Sequence, residues 1–370
     1  MKYKNPSWVK IPNSEKIKKH GLMQLSIYWP EKQEFKKIKN LPIRINKNPI
    51  QISLPLKLRS IKLPDWANNI GTNGEILVPV ETVSKNNWEE VDWWLAIFLM
   101  LECSHERLWE SKYGSIHSYS WKLRDWDKRA WEHPWVNYIG LFLKSWTNKL
   151  ENKELDYLFI PEFKIRMTHD LDAVKKTLPI RIKQTALNFF RGRIKEGIKF
   201  FIKSDNWDTL YLLINKEKNL KIRPVLHIHA KSKIRSPISW LLDPSYSLDD
   251  KKLLDKFKYA KASGWELGLH PGFNNWSSKK KMLQEKRRLE TAIDAQVISV
   301  RQHWLKFSWE STWNCQWFAG LINDSTLMFN DRYGFRNSSA IEFNSFYSPI
   351  EHKKRCCILM DSHNVIDNKI

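Results

Sequence analysis

The chain reads as an α/β protein with a parallel sheet covered on both faces, open or closed as a barrel, preceded by a smaller α/β domain. Three observations point there. After about residue 160, short apolar strands alternate with helical stretches, and that alternation builds a parallel sheet between layers of helices. Each strand is followed at once by charged or imidazole residues, where such sheets carry their chemistry. The residues before 160 have a different texture, with Pro- and Asn-broken extended pieces and then an aromatic-rich helical region. This divides the chain into an N-terminal α/β extension over 1–158 and a main domain over 159–370.

Residues 1 to about 80 hold short extended segments, among them Ile43-Arg44-Ile45 and Glu75 to Val80. From Trp88 to Glu102 the sequence, unbroken in its apolar run from Trp93 to Leu101, reads as a buried helix. A second helix is expected from about Trp131 to Leu150, with Trp135, Ile139, Phe142, Leu143 and Trp146 at helical spacing. Many of the 20 tryptophans fall between Trp88 and Trp146. Core packing explains such a belt more simply than sugar stacking does. Strands are then expected at Phe163 to Thr168, Arg223 to His229, Trp265 to Leu269 and Val297 to Val300. An amphipathic helix is expected from Leu248 to Ala262, ended by Gly264, and a charged helix with an apolar stripe from Ser277 to Ala292.

Composition narrows the class. With 370 residues and 42% hydrophobic content the chain can bury a sizeable core. The 62 basic and 40 acidic residues leave a net charge of +22, which favours anionic partners and allows peripheral contact with an anionic membrane. The lysines are spread along the whole chain, as a Lys/Ile/Asn-rich background gives, and no nucleic-acid motif accompanies them, so no specific nucleic acid is expected. Cys103, Cys315, Cys356 and Cys357 form neither a disulfide framework nor a zinc ribbon. The N-terminus has no apolar signal region. The longest apolar run, Trp93 to Leu101, falls far short of the roughly 20 residues that span a bilayer. A soluble, cytoplasmic protein is expected.

The strand ends carry the candidate chemistry. In order they read Thr168-His169-Asp170-Leu171-Asp172, then His227-Ile228-His229, His270-Pro271-Gly272-Phe273-Asn274 and Arg301-Gln302-His303-Trp304, followed by Asp324-Ser325-Thr326 with Asp331 and Arg336. Asp170 and Asp172, two apart on an extended strand, project to one side. Two ionised carboxylates so close repel unless a cation joins them. One can then ligate a metal while the other serves as a general base. Asp172 also suits the N-cap of a helix beginning near Ala173. A mixed Asp, His and amide donor set suits one borderline divalent ion such as zinc.

These strings, with Glu266 to Pro271, Arg301 to Phe307, Asp324 to Leu327 and Gly334-Phe335-Arg336 in this order, resemble a bacterial branch of the polysaccharide deacetylases, the NodB-homology group of carbohydrate esterase family 4. The likeness covers roughly 160–362, and the Trp88 to Trp146 region resembles the helical extension of that branch. It implies a distorted (β/α)7 barrel, a divalent metal, usually zinc, and removal of an N- or O-acetyl group from a sugar of a cell-surface polysaccharide or its precursor. It implies Asp170 as catalytic base, Asp172 and His270 as metal ligands, and Arg301 as the residue that orients the base. Asn274 stands where the family has a second metal-binding histidine, and His227, His229 and His303 are alternative nitrogen donors. His363 is the candidate general acid, and His303, Trp304 and Asp324 are candidate contacts to a glycan substrate. The surroundings of His363 match the family only loosely, and the barrel is expected to be short at its C-terminus. The rival expectation is an impaired deacetylase fold that binds a glycan or a partner.

Overall fold

The structure, a computed structural model, describes residues 6–46, 49–151, 165–174, 178–202, 210–218, 222–230, 242–244 and 246–347. Within them the chain forms two compact units. One comprises the described residues up to 151 with 307–310 and 327–347; the other comprises the described residues of 165–306 and 311–326. A division at 158/159 would give 307–310 and 327–347 to the sheet-bearing part, whereas the structure groups them with the N-terminal unit.

The first unit is built on helices α1 (Ser14–Gln24), α2 (Lys32–Lys39), α3 (Trp93–Leu101), α4 (Ser104–Tyr113) and α5 (Trp135–Leu150), with the antiparallel pair β1 (Leu58–Lys62) and β2 (Glu75–Pro79). All nine residues of α3 are buried, as its unbroken apolar run requires. Asp92 starts it by accepting from the Leu95 N–H. The helical turn at Trp88–Glu90 is separate from α3, so the stretch read as one helix is two elements. Ile43-Arg44-Ile45 forms no strand. Trp93, Trp94, Trp131, Trp135 and Trp146 are buried, so the aromatic belt is core.

Buried ion pairs fix the returning segment in this unit. Arg336 pairs with Glu106 of α4 and donates to Ser118 Oγ at 2.6 Å. Glu106 also accepts from the Trp309 indole at 2.7 Å. Glu102 accepts from Arg107 at 3.1 Å, Ser345 at 2.7 Å and the Phe346 N–H at 2.8 Å. Asp331 accepts from the backbone N–H groups of Ser120 and Trp121. Asp331 and Arg336, read from the sequence beside the strand-end residues, are therefore structural members of the first unit.

The second unit holds a five-stranded, wholly parallel sheet whose strand order follows the chain: β3 (Thr168–Leu171), β4 (Val225–Ile228), β5 (Glu266–Leu269), β6 (Ser299–Val300) and β7 (Asn323–Asp324). Helices α6 (Leu178–Phe190), α7 (Ile194–Ile202), α8 (Leu210–Lys218), α9 (Lys251–Ala262), α10 (Lys279–Ile293) and α11 (Thr312–Phe318) alternate with the strands. Asp250 caps α9, accepting from the Lys252 and Leu253 N–H groups. The strands contribute Leu226, Ile228, Leu269 and Val300 to one core, which Phe257 of α9 and Met282 and Leu289 of α10 complete. Among the described residues Asp172 caps no helix, since Ala173 and Val174 after it are not helical.

The sheet is curled. Arg301, one residue past β6, donates both to Ser325 beyond one edge strand and to Thr168 on the other. In a flat sheet β6 and β3 would stand roughly 14 Å apart, beyond the reach of an arginine side chain.

Candidate metal centre

Strand register assembles the site. Asp170 on β3 lies opposite His227 on β4, which lies opposite Gly268 on β5. Asp172, His229, His270, Arg301 and Ser325 each follow the end of a strand, so all five stand at the C-terminal edge of the sheet. Alternation sends His169 to the other face, where it pairs with Glu217 at 2.9 Å and stacks on Trp265.

Asp172, His270 and His303 converge, one ligand atom from each lying within 4.8 Å of the others. His270 Nε2 is 3.4 Å from Asp172 Oδ1, His303 Nδ1 is 3.5 Å from the same oxygen, and the two nitrogens are 2.8 Å apart. Backbone carbonyls set the tautomers. His270 Nδ1–H donates to the Arg301 carbonyl at 2.8 Å, and His303 Nε2–H donates to the Leu242 carbonyl at 2.8 Å. Each ring therefore turns a lone pair toward the other and toward a carboxylate. Two nitrogen lone pairs at this distance repel unless a proton or a cation lies between them. Ligands at about 2.0–2.1 Å from a tetrahedral ion stand about 3.4 Å apart. Two edges of the triangle have that length, and the third needs to open by about half an ångström. The donor set fits a divalent cation on both counts, and carbonyl anchoring of the outer imidazole nitrogens is how metal-binding histidines are held.

The charges agree. Desolvation beside the two rings opposes the Asp172 anion, but the carboxylate is half-exposed, and His270 and His303 hold its pKa below the usual range. Burial lowers His270, yet Asp170 and Asp172 raise it above the ordinary histidine value. His303 is lowered by burial and by His270.

Asp170 stands beside the triad, its Oδ1 4.0 Å from His270 Nδ1 and 3.2 Å from His227 Nδ1. Arg301 Nη1 donates to that oxygen at 3.3 Å. The same guanidinium donates through Nη2 to Thr168 Oγ1 at 2.5 Å and through Nε to the Ser325 carbonyl and hydroxyl, both at 3.2 Å. Burial works against the Asp170 anion, but Arg301, His270 and His227 hold its pKa well below the usual carboxylate range. Burial brings His227 down to about 4, so it is neutral at pH 7. His229 is brought down to about 3, chiefly by burial. It donates from Nδ1 to the His270 carbonyl, and its Nε2 has no hydrogen-bond partner among the described residues.

Several sequence-derived roles change. His303, first taken as a substrate contact or spare nitrogen, completes the triad. Asn274 is exposed in the turn after β5, whose backbone and side-chain bonds run instead from Gly272 and Asn275 to Glu285. Asp324 is not a substrate contact: it is 1% exposed, and its carboxylate accepts from Trp313, Gln316 and Thr326. Trp304 does lie open, 47% exposed, with its ring 6.2 Å from those of His303 and Phe273. Its backbone is left-handed at φ +56°, a costly conformation for a bulky residue and one that clusters at binding sites. His363 lies outside the described residues. Sequence reasoning passed over Thr168, Ser325 and the Leu242 carbonyl as supports; the first two sat in quoted strand-end strings, while a carbonyl's direction leaves no mark in a sequence.

Comparison with family models, with curated proteins and with solved structures returns no match.

Proposed function

We propose that this chain is a metal-dependent hydrolase that removes an acetyl group from a sugar of a cell-surface polysaccharide or its precursor. The observation that carries the reading is the facing pair of imidazole lone pairs at Asp172, with an ionised Asp170 alongside. When bound, a divalent ion, for which zinc suits this donor set, supplies Lewis-acid polarisation of a carbonyl and a water acidified toward neutral pH.

The chain's own residues do the rest. Arg301 and the neighbouring imidazoles keep Asp170 deprotonated, ready to accept a proton at its carboxylate. The Arg301 and Leu242 carbonyls hold His270 and His303 in the ligating tautomer. Trp304 offers an exposed ring against which the apolar face of a sugar stacks. The curl of the sheet and its sequential strand order support a (β/α) barrel of the polysaccharide-deacetylase type as the full architecture.

Metal content and acetate release test the proposal together. After dialysis against zinc and removal of excess, wild type and Asn274→Ala are expected to retain about one ion per chain, and Asp172→Ala and His303→Ala to lose it. Asp170→Asn is expected to keep the ion while acetate release from acetylated sugar oligomers falls by about 100-fold or more. A folded wild-type protein that binds no zinc, cobalt or nickel would falsify the reading.

A further inference from the structure

Helices α6 and α7 form a hairpin whose construction is the reverse of the other amphipathic helices of this unit. The turn runs through Gly192 at φ +72°, with Arg193 N–H bonded to the Asn188 carbonyl. The inner faces meet at Gly197, where a Cβ would come within 2.6 Å of the Phe189 ring. Thr185 Oγ1 donates to the Gly197 carbonyl and Arg181 to the Phe201 carbonyl, tying the two helices along their length. The apolar stripe of α7 therefore faces away from α6. Ile194, Ile198, Phe201 and Ile202 lie within an arc of roughly 100° on a helical wheel, and each is between 40% and 72% exposed. On α6, Ile182 is 47% and Phe190 92% exposed. Apolar side chains grouped this way on a surface mark an interaction site.

Charge identifies the partner. Residues 178–202 carry six Lys or Arg against one Glu, a net of +5 in 25 residues, where the whole chain carries +22 in 370. Lys195 and Lys199 border the apolar stripe, and Arg191 and Arg193 stand exposed in the turn. An apolar stripe edged by lysines matches a bilayer interface, with the aliphatic groups among acyl chains and the ammonium groups at anionic headgroups. A second copy of the same face would bring +5 against +5.

We infer that the α6–α7 hairpin docks the protein peripherally on anionic membrane surfaces. This rests on neither the metal nor the hydrolase reading, so each can fail alone.

The test is co-sedimentation of the full chain with vesicles of phosphatidylcholine alone or with about one-third phosphatidylglycerol, at about 0.1 M salt. Binding to the anionic vesicles only is expected, weakening as salt rises to about 0.5 M. Ile198→Asp/Ile202→Asp is expected to cut the partition coefficient about tenfold or more, with an unchanged circular dichroism melt and unchanged zinc content. No binding to anionic vesicles, or equal binding by the variant, overturns the inference. So does a concentration-dependent dimer in wild type that the variant abolishes, which would give the face to a second copy.

Discussion

His227 owes its place to a glycine. A Cβ on Gly268 would come within 2.7 Å of the His227 ring and 3.1 Å of the Ser299 carbonyl. The ring cannot retreat from such a Cβ without disturbing Asp170, which it meets at 3.2 Å. Gly268→Ala is therefore expected to cost about 1–3 kcal/mol of stability, measured by urea unfolding, and, under the proposed function, to lower acetate release beyond any loss of folded protein. A variant as stable and as active as wild type would show that the strands can part to admit a methyl group. Much of this site was legible residue by residue. Asp170, Asp172, His270 and Arg301 stand together because each follows or ends a short apolar strand, and parallel strands deliver their ends to one edge. His303 was undervalued because its ligating tautomer depends on the Leu242 carbonyl, 61 residues away. Asp324 misled because a buried carboxylate satisfied by Trp313 and Gln316 has the same sequence signature as a reactive one.

Among elements, what proved readable was periodicity and what did not was pairing. Apolar spacing places α9 and α10 to within three residues, at Leu248 to Ala262 and Ser277 to Ala292, while Asp250 and Ser278 cap their actual starts at Lys251 and Lys279. The length of β6 does not follow from spacing: the apolar run from Val297 yields only Ser299–Val300 in the ladder, because β5 and β7 pair with it only at that end. Polar contacts between elements were likewise invisible. Glu81, in the turn after β2, meets His105 of α4 at 3.3 Å and accepts from Ser53. Burial pushes the Glu81 carboxyl up, but His105 and Ser53 outweigh it and bring it from the ordinary 4.5 to about 2. Its folded value lies below its unfolded one, so its stabilisation is complete above pH 4.5 and is lost as pH falls toward 2. Thermal melts by circular dichroism between pH 5 and pH 2 are expected to fall less steeply for Glu81→Gln than for wild type. Parallel curves would show that the carboxylate gains nothing from its neighbours.

At the scale of the molecule, the first unit is discontinuous in sequence, and the join is ionic. Arg336 and Glu106 are both buried, 230 positions apart, and Glu106 accepts from Arg336 and from Trp309. Removing one partner leaves an uncompensated buried charge. Arg336→Met is thus expected to destabilise the first unit by about 3–5 kcal/mol in denaturant titration, and adding Glu106→Gln to restore part of that. No recovery in the double variant would mean the guanidinium matters through its bond to Ser118 rather than through Glu106. No helix among the described residues is long and apolar enough to cross a bilayer. The same discontinuity has a consequence for synthesis. A ribosome delivers Glu102 and Glu106 long before it delivers Ser345 and Arg336. Until then Glu106 lacks Arg336, and Glu102, already beside His20 and Arg107, lacks Ser345 and the Phe346 N–H, while every described strand of the sheet-bearing unit, all between 168 and 324, has been made. The first unit therefore acquires its last buried partners only after the described strands of the second have been translated.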